Sequence, residues 1–169
     1  TLGCGGLGYW VDGKLHLGEH FSSHKVISGS GQKLAFELTY APKTVGEATV
    51  AETRRVSMPA GSNLFKVEST FAVEGSGSVT VAIGIALRGD KGELQHGNNY
   101  LSYAEPESKN DGTTFCGVVL PQKAEFKKAE GHGLLLVTVK NGETLTYQAG
   151  AGWSKGLDFK NADEWSAYI

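Results

Sequence analysis

KLAFELTY, residues 33–40, alternates Leu34, Phe36, Leu38 and Tyr40 with Lys33, Ala35, Glu37 and Thr39. A period of two sends the two sets to opposite faces of a strand, so one face is apolar and the other is wet. Gly29-Ser30-Gly31 turns the chain before this strand and Pro42 ends it. Downstream, EATVAETRRVSM (residues 47–58) is a second extended run, with Val50, Glu52, Arg54, Val56 and Met58 on one parity. Pro59 to Ser62 turn the chain again. Residues 63–73 alternate too, with Phe65, Val67, Phe71 and Val73 on one side. VTVAIGIAL (residues 79–87) is apolar on both parities, which marks a central strand covered on both faces. With Gly75 to Ser78 as a hairpin loop, residues 31–87 read as a four-stranded antiparallel meander.

Upstream, GCGGLG (residues 3–8) fits G-x-G-x-x-G at Gly3, Gly5 and Gly8. A dinucleotide fingerprint needs a strand before it and a helix after it. Here GYWVDGKLH follows, a hairpin signal turning at Asp12-Gly13. The glycines are therefore expected to be a flexible approach to a strand at residues 7–11. Residues 15–17 form the return strand, and His24 to Ile27 the next.

Beyond residue 87, RGDKGELQHGNN (residues 88–99) reads as a long polar loop. Strands are expected at residues 100–105 and 114–120. KAEFKKAEGHG is a polar excursion, helical or irregular. LLLVTV (residues 134–139) reads as a buried strand joined through an Asn141-Gly142 hairpin to residues 144–152. In NADEWSAYI, Asn161 caps a terminal helix and Glu164 stands at the capping-box position. The fold class is all-β: an antiparallel β-sandwich of roughly ten short strands with a short C-terminal helix, residues 1–169 forming a single domain.

The formal net charge of −2 argues against a nucleic-acid or anionic-membrane partner held by bulk charge. No apolar run approaches the ~20 residues of a membrane-crossing helix. The two cysteines, Cys4 and Cys116, make neither a metal motif nor a disulfide framework. They read as two separate small apolar residues, with a single disulfide as the alternative. No G-x-S-x-G, H-E-x-x-H or calcium-loop pattern is present, and no cofactor or metal is called for.

The densest proton-carrying stretch is KLHLGEHFSSHK (residues 14–25), with His16, His20 and His24. Their spacing of four suits one helix face, but Gly18, Ser22 and Ser23 interrupt it, so a loop between strands is expected. These histidines are better placed as proton carriers than as zinc ligands. Arg54 and Glu52, of one parity with Val50 and Val56, either line a groove or pair structurally. Tyr40 ends the best strand on its apolar face. Trp10, Tyr100, Trp153 and Lys155 are candidates for a ligand subsite that combines aromatic rings with a cation.

TLGCGG, WVDGKL, AGSNLFKVE (residues 60–68), VAIGIA (residues 81–86) and AGAGWSKGLDFKNADEW together resemble a bacterial domain-of-unknown-function family. That family occurs in polysaccharide-utilisation gene clusters and includes proteins similar to ulvan-oligosaccharide dehydratases. The resemblance covers essentially the whole chain. It implies a secreted or periplasmic β-sandwich, an oligosaccharide partner, and a further N-terminal part that this chain would follow as the C-terminal part of a longer protein. It also implies elimination on uronic-acid-containing oligosaccharides, as a dehydratase or lyase would perform it. That chemistry needs a base for the proton α to the carboxylate, an acid for the leaving oxygen and a cation for the carboxylate. His16, His20, His24, Tyr40 and Arg54 supply those types, and Glu52 joins the substrate-binding set. A non-catalytic carbohydrate-binding β-sandwich is the alternative.

Overall fold

The alternation at residues 33–40 belongs to a longer strand in a computed structural model that describes residues 1–29, 31–89 and 91–169. The N-terminal strands are β1 (Cys4–Val11), β2 (Lys14–Leu17), β3 (Ser23–Ser28), β4 (Lys33–Val45), β5 (Ala48–Pro59) and β6 (Leu64–Glu74). Next come β7 (Ser78–Ala86), β8 (Glu93–His96), β9 (Tyr100–Ala104) and β10 (Thr114–Val119). β11 (Glu125–Ala129), β12 (His132–Lys140), β13 (Thr144–Trp153) and the helix α1 (Ala162–Tyr168) complete the chain. An eight-stranded sheet, ordered β3-β4-β5-β6-β13-β10-β9-β8, faces a five-stranded one, ordered β11-β12-β7-β1-β2. All pairings between these strands are antiparallel. The expected sandwich is thus what forms, with thirteen strands among the described residues rather than roughly ten.

Several local expectations are corrected. The meander runs through β3, β4, β5 and β6, but β7 leaves it and pairs with β1 and β12 in the other sheet. Gly75 to Gly77 therefore form a corner between sheets, not a hairpin. Asn141-Gly142 is a second corner, because β12 and β13 lie in different sheets. The two corners interlock. Asn141 accepts from the Val73 amide through its side chain at 2.9 Å, and its own amide donates to the Gly77 carbonyl at 3.0 Å. The polar stretches at 88–99 and 123–133 are not loops throughout: they contain the edge strands β8 and β11. Edge strands face water on much of their surface, so their sequences lack the strong apolar alternation of central strands. The turn expected at Gly29-Ser30-Gly31 includes Ser30, and the 88–99 loop includes Asp90; both residues lie outside those described. Of the GCGG glycines, Gly5 and Gly6 are part of β1 itself, a strand between β7 and β2.

β7 is covered on both faces, as its composition requires. Val79, Val81, Ile83 and Ile85 join the cluster between the sheets. Ala82 packs on the outside with Leu2, Leu134 and Leu136, flanked by Trp10 and Leu15. Each fully buried aliphatic side chain contributes about 1.5–3 kcal/mol. The helix closes a third cluster against the outer face of β10 and β13. Asn161 accepts from the Glu164 amide at 2.9 Å, and Glu164 accepts in turn from the Lys160 amide at 2.7 Å. Trp165 is fully buried with Phe115 and Phe159, and its indole N–H donates to the Cys116 carbonyl at 3.1 Å. Gly117 makes room for that ring: a Cβ there would stand 2.8 Å from it.

The wider sheet overhangs the narrower one. Across β3, β4, β5 and β6, Val26, Phe36, Val56 and Val67 stand opposite one another, so they share a face. Val67 is inside the core and Val56 at its margin, whereas Val26 is 63% exposed. The inner face thus runs from dry core to open, apolar cleft, and the candidate site lies along that margin.

Candidate active site

Two rows of the ladder build the site. Tyr40, Glu52 and Phe71 stand opposite one another in one row, and Leu38, Arg54 and Ser69 in the next. Facing them from the five-stranded sheet is Tyr9, at the register position of Val81. The turn after β2 brings Gly18, Glu19 and His20 to the rim. Tyr9, Tyr40, Glu52, Arg54 and that turn line a cleft of about 420 Å³.

Glu52 and Arg54 lie two residues apart on one strand face and hold each other in two hydrogen bonds. Arg54 Nε donates to Glu52 Oε1 at 2.7 Å, and a terminal nitrogen donates to Oε2 at 3.1 Å. Ser69 Oγ donates to the same Oε1 at 2.7 Å. The Arg54 guanidinium lies over the Tyr40 ring, 4.6 Å from its centroid, a cation–π contact. Burial alone would lower the Arg54 pKa, but the charge and hydrogen bonds of Glu52 outweigh it and raise it further. A fixed, permanently charged guanidinium therefore sits at the floor of the cleft.

The phenols around it stay protonated. Burial, followed by the Glu52 charge, pushes Tyr9 up to about 12. Burial also raises Tyr40, with Arg54 opposing. Tyr147, in the adjoining apolar cleft, is raised chiefly by burial and donates to the Gly5 carbonyl at 2.7 Å. At neutral pH Tyr9 and Tyr40 are thus hydrogen donors rather than bases. Imidazole is the side chain suited to accepting a proton near neutrality, and His20 is the one at this rim. Its turn is tied down by Lys43, which donates to the Leu17 carbonyl at 3.0 Å and to Glu19 at 2.6 Å.

The structure gathers Arg54, Glu52, Tyr40 and His20 in one cleft. His24 stands at the edge on β3, opposite Leu38 and so on the face that carries Arg54, with its ring edge-on to Phe21. His16 lies on β2 opposite Tyr9 but is exposed and outside the cleft lining. Trp10 lies on the outer face of the five-stranded sheet. Tyr100 begins β9, near the far edge of the eight-stranded sheet. The Trp153 indole donates to the Asp111 carbonyl at 2.6 Å and Lys155 to the Asn110 carbonyl. None of these last four lines the Arg54 cleft. Among the described residues, no three His, Cys, Asp or Glu side chains gather to hold a metal ion.

Tyr9, Ser69 and Lys43 were not singled out from the sequence. Tyr9 shares parity with Leu7 and Val11, and Ser69 with Val67 and Phe71, so strand pattern places both on the inner face. Nothing local marks Lys43, whose partners Leu17 and Glu19 lie far away in sequence.

A curated protein of Formosa agariphila, described as uncharacterized protein P7, is 23% identical over 177 residues. The match covers all of this chain and 44% of the relative, so the chain spans less than half of that protein's length. Among solved structures, one described as a candidate kojibiose phosphorylase from the human microbiome superposes with a TM-score of 0.55 at 9% identity. That match covers 80% of this chain and 20% of the other, and it is a likeness of fold. A GH36 α-galactosidase from Geobacillus stearothermophilus, solved with raffinose, gives 0.47 at 6% identity over 87% of this chain and 29% of its own. A family model matches every residue from 1 to 169, and the chain belongs to that family, the domain of unknown function DUF4861.

Proposed function

We propose that this protein acts on uronic-acid-containing oligosaccharides by elimination, with the Arg54 cleft as the seat of the uronate. The observation that carries this reading is a part-buried guanidinium, held by Glu52, in one cleft with two protonated phenols and a rim imidazole. An arginine so fixed matches a carboxylate in charge and geometry. The fold shared with a candidate kojibiose phosphorylase agrees with a sugar ligand.

In the elimination, His20 takes the proton from the carbon α to the carboxylate. The electron pair forms the carbon–carbon double bond. The bond from the β-carbon to its oxygen breaks, and that oxygen takes a proton from Tyr40 or Tyr9. Arg54 stabilises the charge that builds on the carboxylate during proton removal, where preorganised donors act most strongly. A further part of the protein, corresponding to the rest of the Formosa agariphila relative, completes the cleft, and the setting is periplasmic or extracellular.

The non-catalytic sugar-binding reading is favoured by one feature: Glu52 already engages Arg54 with two hydrogen bonds. One experiment separates the readings. The full-length protein is incubated with a panel of uronic-acid oligosaccharides while the ultraviolet absorbance of the conjugated, unsaturated uronate is followed. Elimination predicts rising absorbance that Tyr40→Phe and His20→Ala reduce at least ~100-fold, the usual scale of acid–base contributions. Binding without any new absorbance, unaffected by His20→Ala, rejects elimination in favour of the binding module.

A further inference from the structure

The two cysteines are not separate. β1 carries a bulge between Cys4 and Gly6, where its register against β7 shifts by one residue. In a regular strand Cys4 would share parity with Gly8 and Trp10 and face outward. The extra residue reverses that, so Cys4 stands opposite Ile85 and packs against the inter-sheet core that contains Leu7 and Tyr9. The bulge needs glycine: Gly5 has φ +77°, and a Cβ there would lie 2.3 Å from the Ala149 Cβ.

Turned inward, Cys4 meets the other sheet. Its sulfur lies 3.1 Å from the Gly150 carbonyl and 3.8 Å from the carbonyl of Gly117, the neighbour of Cys116. Cys116 belongs to the core cluster against which Cys4 packs, and it directly precedes the Gly117 whose carbonyl the Cys4 sulfur reaches. Interaction with the Cys116 thiol lowers the Cys4 pKa against the opposing effect of burial, while interaction with Cys4 and burial push Cys116 up. Both are free thiols. Their access differs. Cys4 is half-buried and lines the open apolar cleft beside Phe36, Phe65 and Tyr147, whereas Cys116 is buried behind it and does not line that cleft.

We infer that Cys4 and Cys116 form a dithiol site that closes, on reaction with a small disulfide, into a covalent link between the two sheets. The Cys4 thiolate attacks one sulfur of the small disulfide and expels the first small thiol. The Cys116 sulfur then attacks Cys4 of the mixed disulfide and expels the second. Two protein thiols lose two electrons, the small disulfide gains them, and the two thiol protons leave on the two small thiols. The roles follow from access, since the attacking sulfur must be reachable and the resolving one need only be adjacent.

The test uses hydroxyethyl disulfide, small enough to enter the cleft, on the purified full-length protein. Free thiols are counted in denaturant and peptides are mapped by mass. The expected result is loss of both thiols, a mass lower by two hydrogens and a Cys4–Cys116 linked peptide, all reversed by dithiothreitol. Cys116→Ser should instead hold a stable mixed disulfide on Cys4. Persistence of both thiols in the wild type, or accumulation of open adducts without the linked peptide, overturns the inference. If Cys116→Ser does not fold, brief exposure of the wild type decides the order of attack. A first adduct on Cys4 supports the assignment, and one on Cys116 overturns it.

Discussion

Replacing Arg54 with Met would leave the Glu52 carboxylate, whose side chain is 4% exposed, without its cation. Stranding one member of a buried ion pair costs about 3–5 kcal/mol. Two features place this case at the lower end. Ser69 keeps one hydrogen bond to the carboxylate, and the Arg54 side chain is 16% exposed, so the pair is not wholly dry. A loss of about 3 kcal/mol is more than a hundredfold in the unfolding equilibrium at 1.4 kcal/mol per factor of ten. Removing the charge as well should return most of it. Glu52→Leu with Arg54→Met replaces the pair by apolar volume, which is often neutral. Ser69, fully buried, then loses its acceptor, so the matched variant adds Ser69→Ala. The triple variant is expected within about 1 kcal/mol of wild type. Urea unfolding followed by tryptophan fluorescence reads both values. An Arg54→Met midpoint equal to wild type, or a triple variant as unstable as the single one, would refute the reasoning. The elimination activity proposed above should be lost in both variants, which separates the stability of the ion pair from its use.

Two further expectations concern other parts of the molecule. Tyr9, held protonated up to about 12 against an ordinary value of 10, binds its proton more tightly folded than unfolded. Its contribution to stability is complete below pH ~10 and falls as pH rises from there towards 12; an absorbance titration in which all six tyrosines ionise together at the ordinary value would contradict this. Trp165→Ala removes a fully buried ring and its bond to the Cys116 carbonyl, costing about 3–5 kcal/mol; a denaturation midpoint within error of wild type would show that the helix adds nothing to the fold.

What the sequence disclosed follows physical reach. β4, β5 and β6 are joined by short turns, and their alternation fixes which face Arg54 and Glu52 occupy. The double-sided apolarity of residues 79–87 announced a covered strand but not which sheet covers it. Local signals at Gly75 to Ser78 and Asn141-Gly142 describe a reversal of direction; they do not distinguish a hairpin from a corner between sheets. Edge strands β8 and β11 were hidden because much of their surface faces water. In the site, Arg54, Glu52 and Tyr40 were legible from strand parity. His20 was legible as chemistry but not as position, since its place depends on Lys43, 23 residues later. The pairing of Cys4 with Cys116 was legible only as an alternative, because a bulge that reverses parity is invisible to a period of two.

The two corners also govern the order in which the fold can close. β1 finds its partner β7 only after more than sixty residues have intervened, and β6 waits as long for β13. Pairings so distant in sequence must first overcome the entropy of closing long loops, and such topologies fold slowly. β3 to β6 form the longest run that can zip from neighbouring contacts, and that ribbon carries the overhanging apolar face. During synthesis it emerges before β7 and β12, two strands that pack across its inner side. The ribbon that builds the site is therefore the part most in need of protection from aggregation while the chain is unfinished.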